Sequence, residues 1–185
     1  MFICTGNRCR SPFAEVAIRQ LSGSLPLQVT SCGTLDLAAE RSTDQMISAA
    51  RAFGLDLDPH RSRHMAQADL RNADLILGFE LHHVATAVVE GGAPAEKVFF
   101  LKEIVRLLEA VPPSGEEDPE RRARARIQRA AEMRSFDHPH HTGEGIPDPF
   151  GHSNQVYAET AELIQDLCRR LIAGLFGAET LSHQT

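Results

Sequence analysis

Short apolar runs and segments with apolar residues at helical spacing take turns along this chain. Phe2 and Ile3 end a first strand. Pro12 to Leu21 sets Phe13, Val16 and Ala17 at helical spacing. Leu27 to Ser31 reads as a second strand, closed by Cys32-Gly33-Thr34. Asp44 to Phe53 carries Met46, Ile47, Ala50 and Phe53 on one helical face, and Gly54 is a stop signal. Asp74 to Gly78 is a nearly continuous apolar run, the mark of a strand buried on both faces. Glu80 to Glu90 is helical and ends at Gly91-Gly92, and Val98 to Leu101 is a fourth strand. Ser153 to Phe176 closes the chain as a helix, with Val156, Leu163, Leu167, Leu171 and Leu175 on its predicted core face. Strands alternating with helices predict an α/β domain built on a parallel sheet.

Two stretches depart from this rhythm. The first strand has three residues before Cys4, against about five or six for an average strand, so the start is expected to lie a few residues upstream. Residues 112–145 form an insertion. It opens with Pro-Pro-Ser-Gly, continues as an Arg/Ala-rich helix from Glu120 to Met133, and ends in a His/Pro/Gly loop. The arginines Arg121, Arg122, Arg124, Arg126 and Arg129 are expected to form a solvated face. His138, His140 and His141 are read as part of a mobile loop rather than a metal site.

At 185 residues and 42% hydrophobic content, the chain is long enough for one domain with a sizeable core. A net charge of −6 argues against nucleic acid or an anionic membrane as partner. An anionic substrate must then be captured by local geometry. No apolar run approaches the ~18 residues of a membrane span. The four cysteines make neither a disulfide framework nor a zinc-like pair of CxxC motifs. The expectation is a cytoplasmic enzyme.

The candidate chemistry begins at Cys4. Cys4-Thr5-Gly6-Asn7-Arg8-Cys9-Arg10-Ser11-Pro12 leads from strand to helix. A turn of this length can curl its N–H groups around a tetrahedral oxyanion, with Cys4 beneath and Arg10 beside it. Proline fits a first helical turn, which places the anion at a helix N-terminus. A thiol of pKa about 8.5 is a poor nucleophile unless its anion is stabilised. Here amides, helix terminus and Arg10 favour the thiolate, and Ser11 can donate to it. Arg10 suits bidentate contact with phosphoryl oxygens. Gly6 and Asn7 suit the backbone angles of a tight loop. Asp148, between Pro147 and Pro149, reads on its own as a turn residue and becomes a candidate general acid only beside the Cys4 loop.

These nine residues resemble the phosphate-binding loop of the low-molecular-weight protein tyrosine phosphatases. Downstream, Ser31-Cys32-Gly33-Thr34, His60-Arg61-Ser62-Arg63, Ala73 to Leu77 and Ile146-Pro147-Asp148-Pro149-Phe150-Gly151 follow the family's order. The resemblance implies a four-stranded parallel sheet flanked by helices on both faces, with the phosphate-binding loop after strand 1. It implies a phosphocysteine mechanism with Cys4 as nucleophile, Arg10 as anion clamp and Asp148 as acid, without cofactor or metal. Ser31 matches a loop-bonding serine. His60 and Glu80 match a buried His–carboxylate pair that braces Asn7. Thr5, Leu37, Phe150 and Gly151 map to the cleft walls, where Leu37 and Gly151 make this cleft less aromatic than the eukaryotic pattern. Cys9 can form a reversible disulfide with Cys4 or pack under the loop. Arg8 stands where tyrosine phosphatases often have Ile and the related arginine phosphatases Thr. It can attract a second anion or point to solvent, and solvent is the expectation. The implied partner is a phosphorylated protein or small phosphomonoester. Arsenate reductases share this fold, but the thioredoxin-coupled kind needs two further cysteines, and Gly78 to Gly92 has none.

Overall fold

In the computed structural model the described residues are 1–134 and 143–177. Four strands, β1 (Phe2–Cys4), β2 (Ser31–Gly33), β3 (Ile76–Gly78) and β4 (Val98–Phe100), form one sheet in the order β2-β1-β3-β4. Every pairing is parallel. Six α-helices connect and cover it: α1 (Arg10–Ser22), α2 (Asp44–Arg51), α3 (Leu81–Val89), α4 (Leu101–Ala110), α5 (Pro119–Met133) and α6 (Asn154–Phe176).

Alternate strand residues feed two cores. Phe2, Cys4, Leu77 and Phe99 join the large cluster shared with α1, α2, α4, α5 and α6. Ile3, Cys32, Ile76 and Val98 join a smaller cluster on the other face, with Met65, Leu70 and Ala87 of α3. Both faces are covered, which is why the strands read as unbroken apolar runs. The chain leaves β1 for one neighbour and returns to β3 on its other side. Connections therefore diverge at the β1/β3 boundary, and ligands bind open α/β sheets in the crevice at such a point. The loop after β1 and the Phe79-Glu80 corner after β3 meet there.

Three sequence expectations shift. β2 runs from Ser31 to Gly33 rather than from Leu27, because its ladder partners on β1 are Phe2 to Cys4. The run ending at Leu101 splits: Leu101 opens α4, a helix the sequence reading missed, and the Glu103 carboxylate caps its start by accepting from Phe100 N–H at 3.1 Å. In α6 the core face is Tyr157, Ala161, Ile164, Leu167, Cys168, Leu171, Ile172 and Leu175, while Val156 is half-buried and Leu163 exposed. Steps of four residues overshoot the 3.6-residue turn, so the inferred stripe drifted off the face.

Only part of the arginine face of α5 is solvated, because Arg122 and Arg126 are drawn onto backbone carbonyls. Arg126 donates to the carbonyls of Leu108 (2.9 Å), Val111 (3.3 Å) and Pro112 (2.9 Å) and to Gly174, capping the C-terminal ends of α4 and α6 together. Arg122 reaches Phe176 O at 2.9 Å. Arg121, Arg124 and Arg129 remain exposed. His138, His140 and His141 lie outside the described residues. Among the described residues, no helix is long and apolar enough to cross a membrane.

Candidate active site

Helix α1 begins at Arg10, so Arg10 and Ser11 already stand in its first turn, two residues earlier than Pro12 suggested. A first turn tolerates proline throughout. Residues 5–9 curl between β1 and this turn. Asn7 adopts a left-handed φ of 50°. It is fully buried and braced on every side. Its Nδ2 donates to Ser11 Oγ (2.9 Å) and Ser31 Oγ (2.8 Å), its Oδ1 accepts from Arg63 N–H (2.9 Å), and its carbonyl lies 2.8 Å from His60 Nε2. Gly33 lies against the loop so closely that a Cβ there would meet Thr5 O at 2.7 Å. Only glycine admits that approach.

Cys4 is buried, with Sγ 3.0 Å from Ser11 Oγ. Ser11 Oγ accepts from Asn7, and its own proton can face the sulfur or, at 3.4 Å, Cys32 O. Arg10 is buried. Its Nη1 donates to Glu80 and to Ile146 O (2.8 Å), and its Nη2 to Asp148 Oδ2 at 2.6 Å. Arg10 Nε is a buried donor with no hydrogen-bond partner among the described residues. An orphaned buried donor is costly unless a ligand satisfies it, and an oxyanion over Cys4 fits that need.

Asp148 is also tied to its own loop, its Oδ1 accepting from Phe150 N–H at 3.1 Å. Cys4, Thr5, Gly6, Arg8, Cys9, Leu35, Leu37, Asp148 and Phe150 line one pocket of about 240 Å³. A larger cavity, about 700 Å³, opens at the opposite end of the sheet, but it contains neither Cys4 nor Asp148. Cys4 and Asp148 both line the smaller one.

Several expectations need correction. Glu80 does not pair with His60; it holds Arg10. The carboxylate behind the loop is Glu15, which the sequence reading missed. Ser31 Oγ donates to it, and Arg19 pairs with it. The available signal was its place four residues after Ser11, on the same helical face. Arg8 does not point to solvent. Its Nε donates to Arg41 O at 2.7 Å and its guanidinium lies 6.0 Å from the centre of the Phe150 ring, making it a wall of the pocket. Cys9 is buried, its Sγ 3.4 Å from Thr43 Oγ1, and burial pushes its pKa up to about 11. It lines the same pocket as Cys4.

A thiol seated in an anion-binding loop at a helix N-terminus, with a carboxylate across a small pocket, belongs to the class of cysteine-dependent phosphatases. The family model for low molecular weight phosphotyrosine protein phosphatase matches residues 1–111, and the chain belongs to that family. Among curated proteins, it is 26% identical over 175 residues to the protein-arginine-phosphatase of Bacillus subtilis (strain 168), covering 92% of each chain. It is 35% identical over 86 residues to the low molecular weight protein-tyrosine-phosphatase Etp of Escherichia coli (strain K12), an alignment covering 46% of this chain and 56% of Etp. Among solved structures, the low molecular weight protein tyrosine phosphatase of T. tengcongensis superposes with a TM-score of 0.66 at 26% identity, covering 92% of this chain and 95% of that one.

Proposed function

We propose that the protein hydrolyses phosphotyrosine in proteins, with Cys4 as nucleophile, Arg10 as anion clamp and Asp148 as general acid and base. The observation that carries this reading is the convergence of Cys4 and Asp148 on one pocket, with Arg10 bonded to Asp148 and one of its donors unmatched. Cys4 Sγ attacks phosphorus in line. The S–P bond forms as the P–O bond breaks, and Asp148 delivers its proton to the departing oxygen. Asp148 then takes a proton from water, whose oxygen attacks the phosphocysteine. Inorganic phosphate leaves and the thiolate returns. Loop amides and Arg10 hold the equatorial oxygens throughout, so catalysis is mainly positioning and charge stabilisation. Leu35, Leu37 and Phe150 offer apolar walls to an aryl ring. Free, buried cysteines at positions 4, 9, 32 and 168 support a cytoplasmic location.

A second reading, phosphoarginine as substrate, draws on the similarity to the Bacillus subtilis enzyme over 92% of both chains. Arg8 weighs against it, because a substrate guanidino group would meet a cation in the pocket wall, only partly offset by Glu40 3.9 Å from Arg8. Turnover of phosphotyrosine peptide, phosphoarginine peptide, p-nitrophenyl phosphate and arsenate with thiols decides between them. Hydrolysis of the two aryl phosphates is expected, lost by about 10³-fold or more in Cys4→Ser and lowered by about 10²-fold or more in Asp148→Asn. Faster turnover of phosphoarginine by the wild type, or full activity in Cys4→Ser, overturns the proposal.

A further inference from the structure

Two histidines at the start of α3 stand against the phosphate loop, and the chemistry above uses neither. His83 is fully buried. Its Nδ1 accepts from the backbone N–H of Glu80 at 3.0 Å and of Phe79 at 3.3 Å. A neutral imidazole has one donor and one acceptor nitrogen, so the proton sits on Nε2. That atom lies 3.0 Å from Thr5 Oγ1 and donates to it. Burial first, then the charge of Arg10, then His82, push the His83 pKa down to about 2, so this tautomer persists at neutral pH.

The tautomer also decides against a metal. Glu80, His82 and His83 bring potential ligand atoms within 4.8 Å of one another. A protonated Nε2 has no lone pair to give. Moving the proton to Nδ1 would aim it at two N–H donors.

The arrangement instead joins both neighbours of the reacting sulfur. Thr5 follows Cys4 directly, and the carboxylate of Glu80 holds Arg10. Thr5 Oγ1, having accepted from His83, has one proton left, and His82 Nε2 is 3.1 Å away to take it. The hydroxyl is thereby held toward α3. One imidazole fixes the side chain beside the nucleophile and the backbone of the residue that anchors the anion clamp.

We infer that His83 is a positioning residue for the phosphatase reaction: through Thr5 and Glu80 it sets where Cys4 and Arg10 stand relative to the phosphoryl group. This rests on the roles proposed above for Cys4 and Arg10. Loss of hydrolysis in Cys4→Ser checks those roles separately.

The test measures kcat and KM for p-nitrophenyl phosphate and the inhibition constant of inorganic phosphate in Thr5→Val, His83→Asn and the double variant. Asparagine can still accept the backbone N–H groups at the helix start, but it is too short to reach Thr5. Each single variant is expected to lower kcat about tenfold, with KM changed less and the phosphate constant raised several-fold. The double variant should be no worse than the poorer single one, because both break the same link. A purely structural histidine would lower the melting temperature and leave kcat of the folded enzyme alone. That outcome overturns the inference, as do losses that multiply in the double variant. If His83→Asn does not fold, Thr5→Val decides alone, and unchanged kcat and phosphate constant there refute it.

Discussion

Asn7 shows how much of the loop hangs on one side chain. It occupies a left-handed backbone position and joins Ser11, Ser31, Arg63 and His60. Asn7→Ala would strip partners from two buried hydroxyls and a backbone N–H. Unsatisfied buried groups cost about 1–3 kcal/mol each, though some would find new partners. A loss of roughly 2–4 kcal/mol is expected by denaturant titration. Activity should fall further than stability accounts for, by about 10²-fold in kcat/KM, because Ser11 would no longer be aimed at Cys4. Unchanged kcat/KM in the folded variant would contradict this account. That Cys4, Arg10 and Asp148 come together was legible in the sequence, from the spacing of the loop motif and the proline-flanked aspartate. Glu15 and His83 were not. Glu15 acts through Ser31, with only its helical spacing from Ser11 as a hint, and His83 meets Thr5 across 78 positions, which no local pattern marks.

At the scale of elements, periodicity located each strand and five of the six helices, because a sheet covered on both faces and amphipathic helices leave different signatures. α4 escaped because the apolar run from Val98 passes into Leu101 without a break. Arg122 and Arg126 of α5 depart from the expected solvated face for a related reason: charge on a helix face suggests solvent, yet a guanidinium also fits the exposed carbonyls at helix C-termini. Arg126 sits between two such ends. At the far end of α5, Arg134 holds the buried Glu103 with two bonds of 2.8 Å and lies 3.8 Å from the centre of the Phe99 ring. The helix is therefore clamped at its middle and at its C-terminal end. Arg126→Ala should lower stability by about 2–3 kcal/mol, or roughly 4–12 °C in melting temperature, with kcat unchanged. A melting temperature equal to the wild type would mean that α5 is held by its apolar face alone.

Across the whole molecule, two electrostatic effects predict opposite responses to acid. With a net charge of −6 and a sequence pI near 5.8, mild acid removes self-repulsion and should favour the compact state. The histidines around the phosphate loop act the other way. Burial is the leading cause that lowers the pKa of both His60 and His83, in the latter case to about 2. An unfolded histidine takes up its proton near about 6.5. Below that pH the unfolded chain binds more protons than the folded one, so stability rises with pH across this window and falls as acid is added. His60 bonds the loop through Asn7 and His83 through Thr5. Protonation of His83 also removes the acceptor for the Glu80 and Phe79 N–H groups. The loss is therefore concentrated at the site. Melting temperature should decline from pH 7 to pH 5, and the decline should be shallower in His83→Asn, which has no imidazole to charge. A melting temperature that climbs toward the pI would show that net charge outweighs the buried histidines. Equal slopes in both proteins would show that the acid sensitivity lies elsewhere.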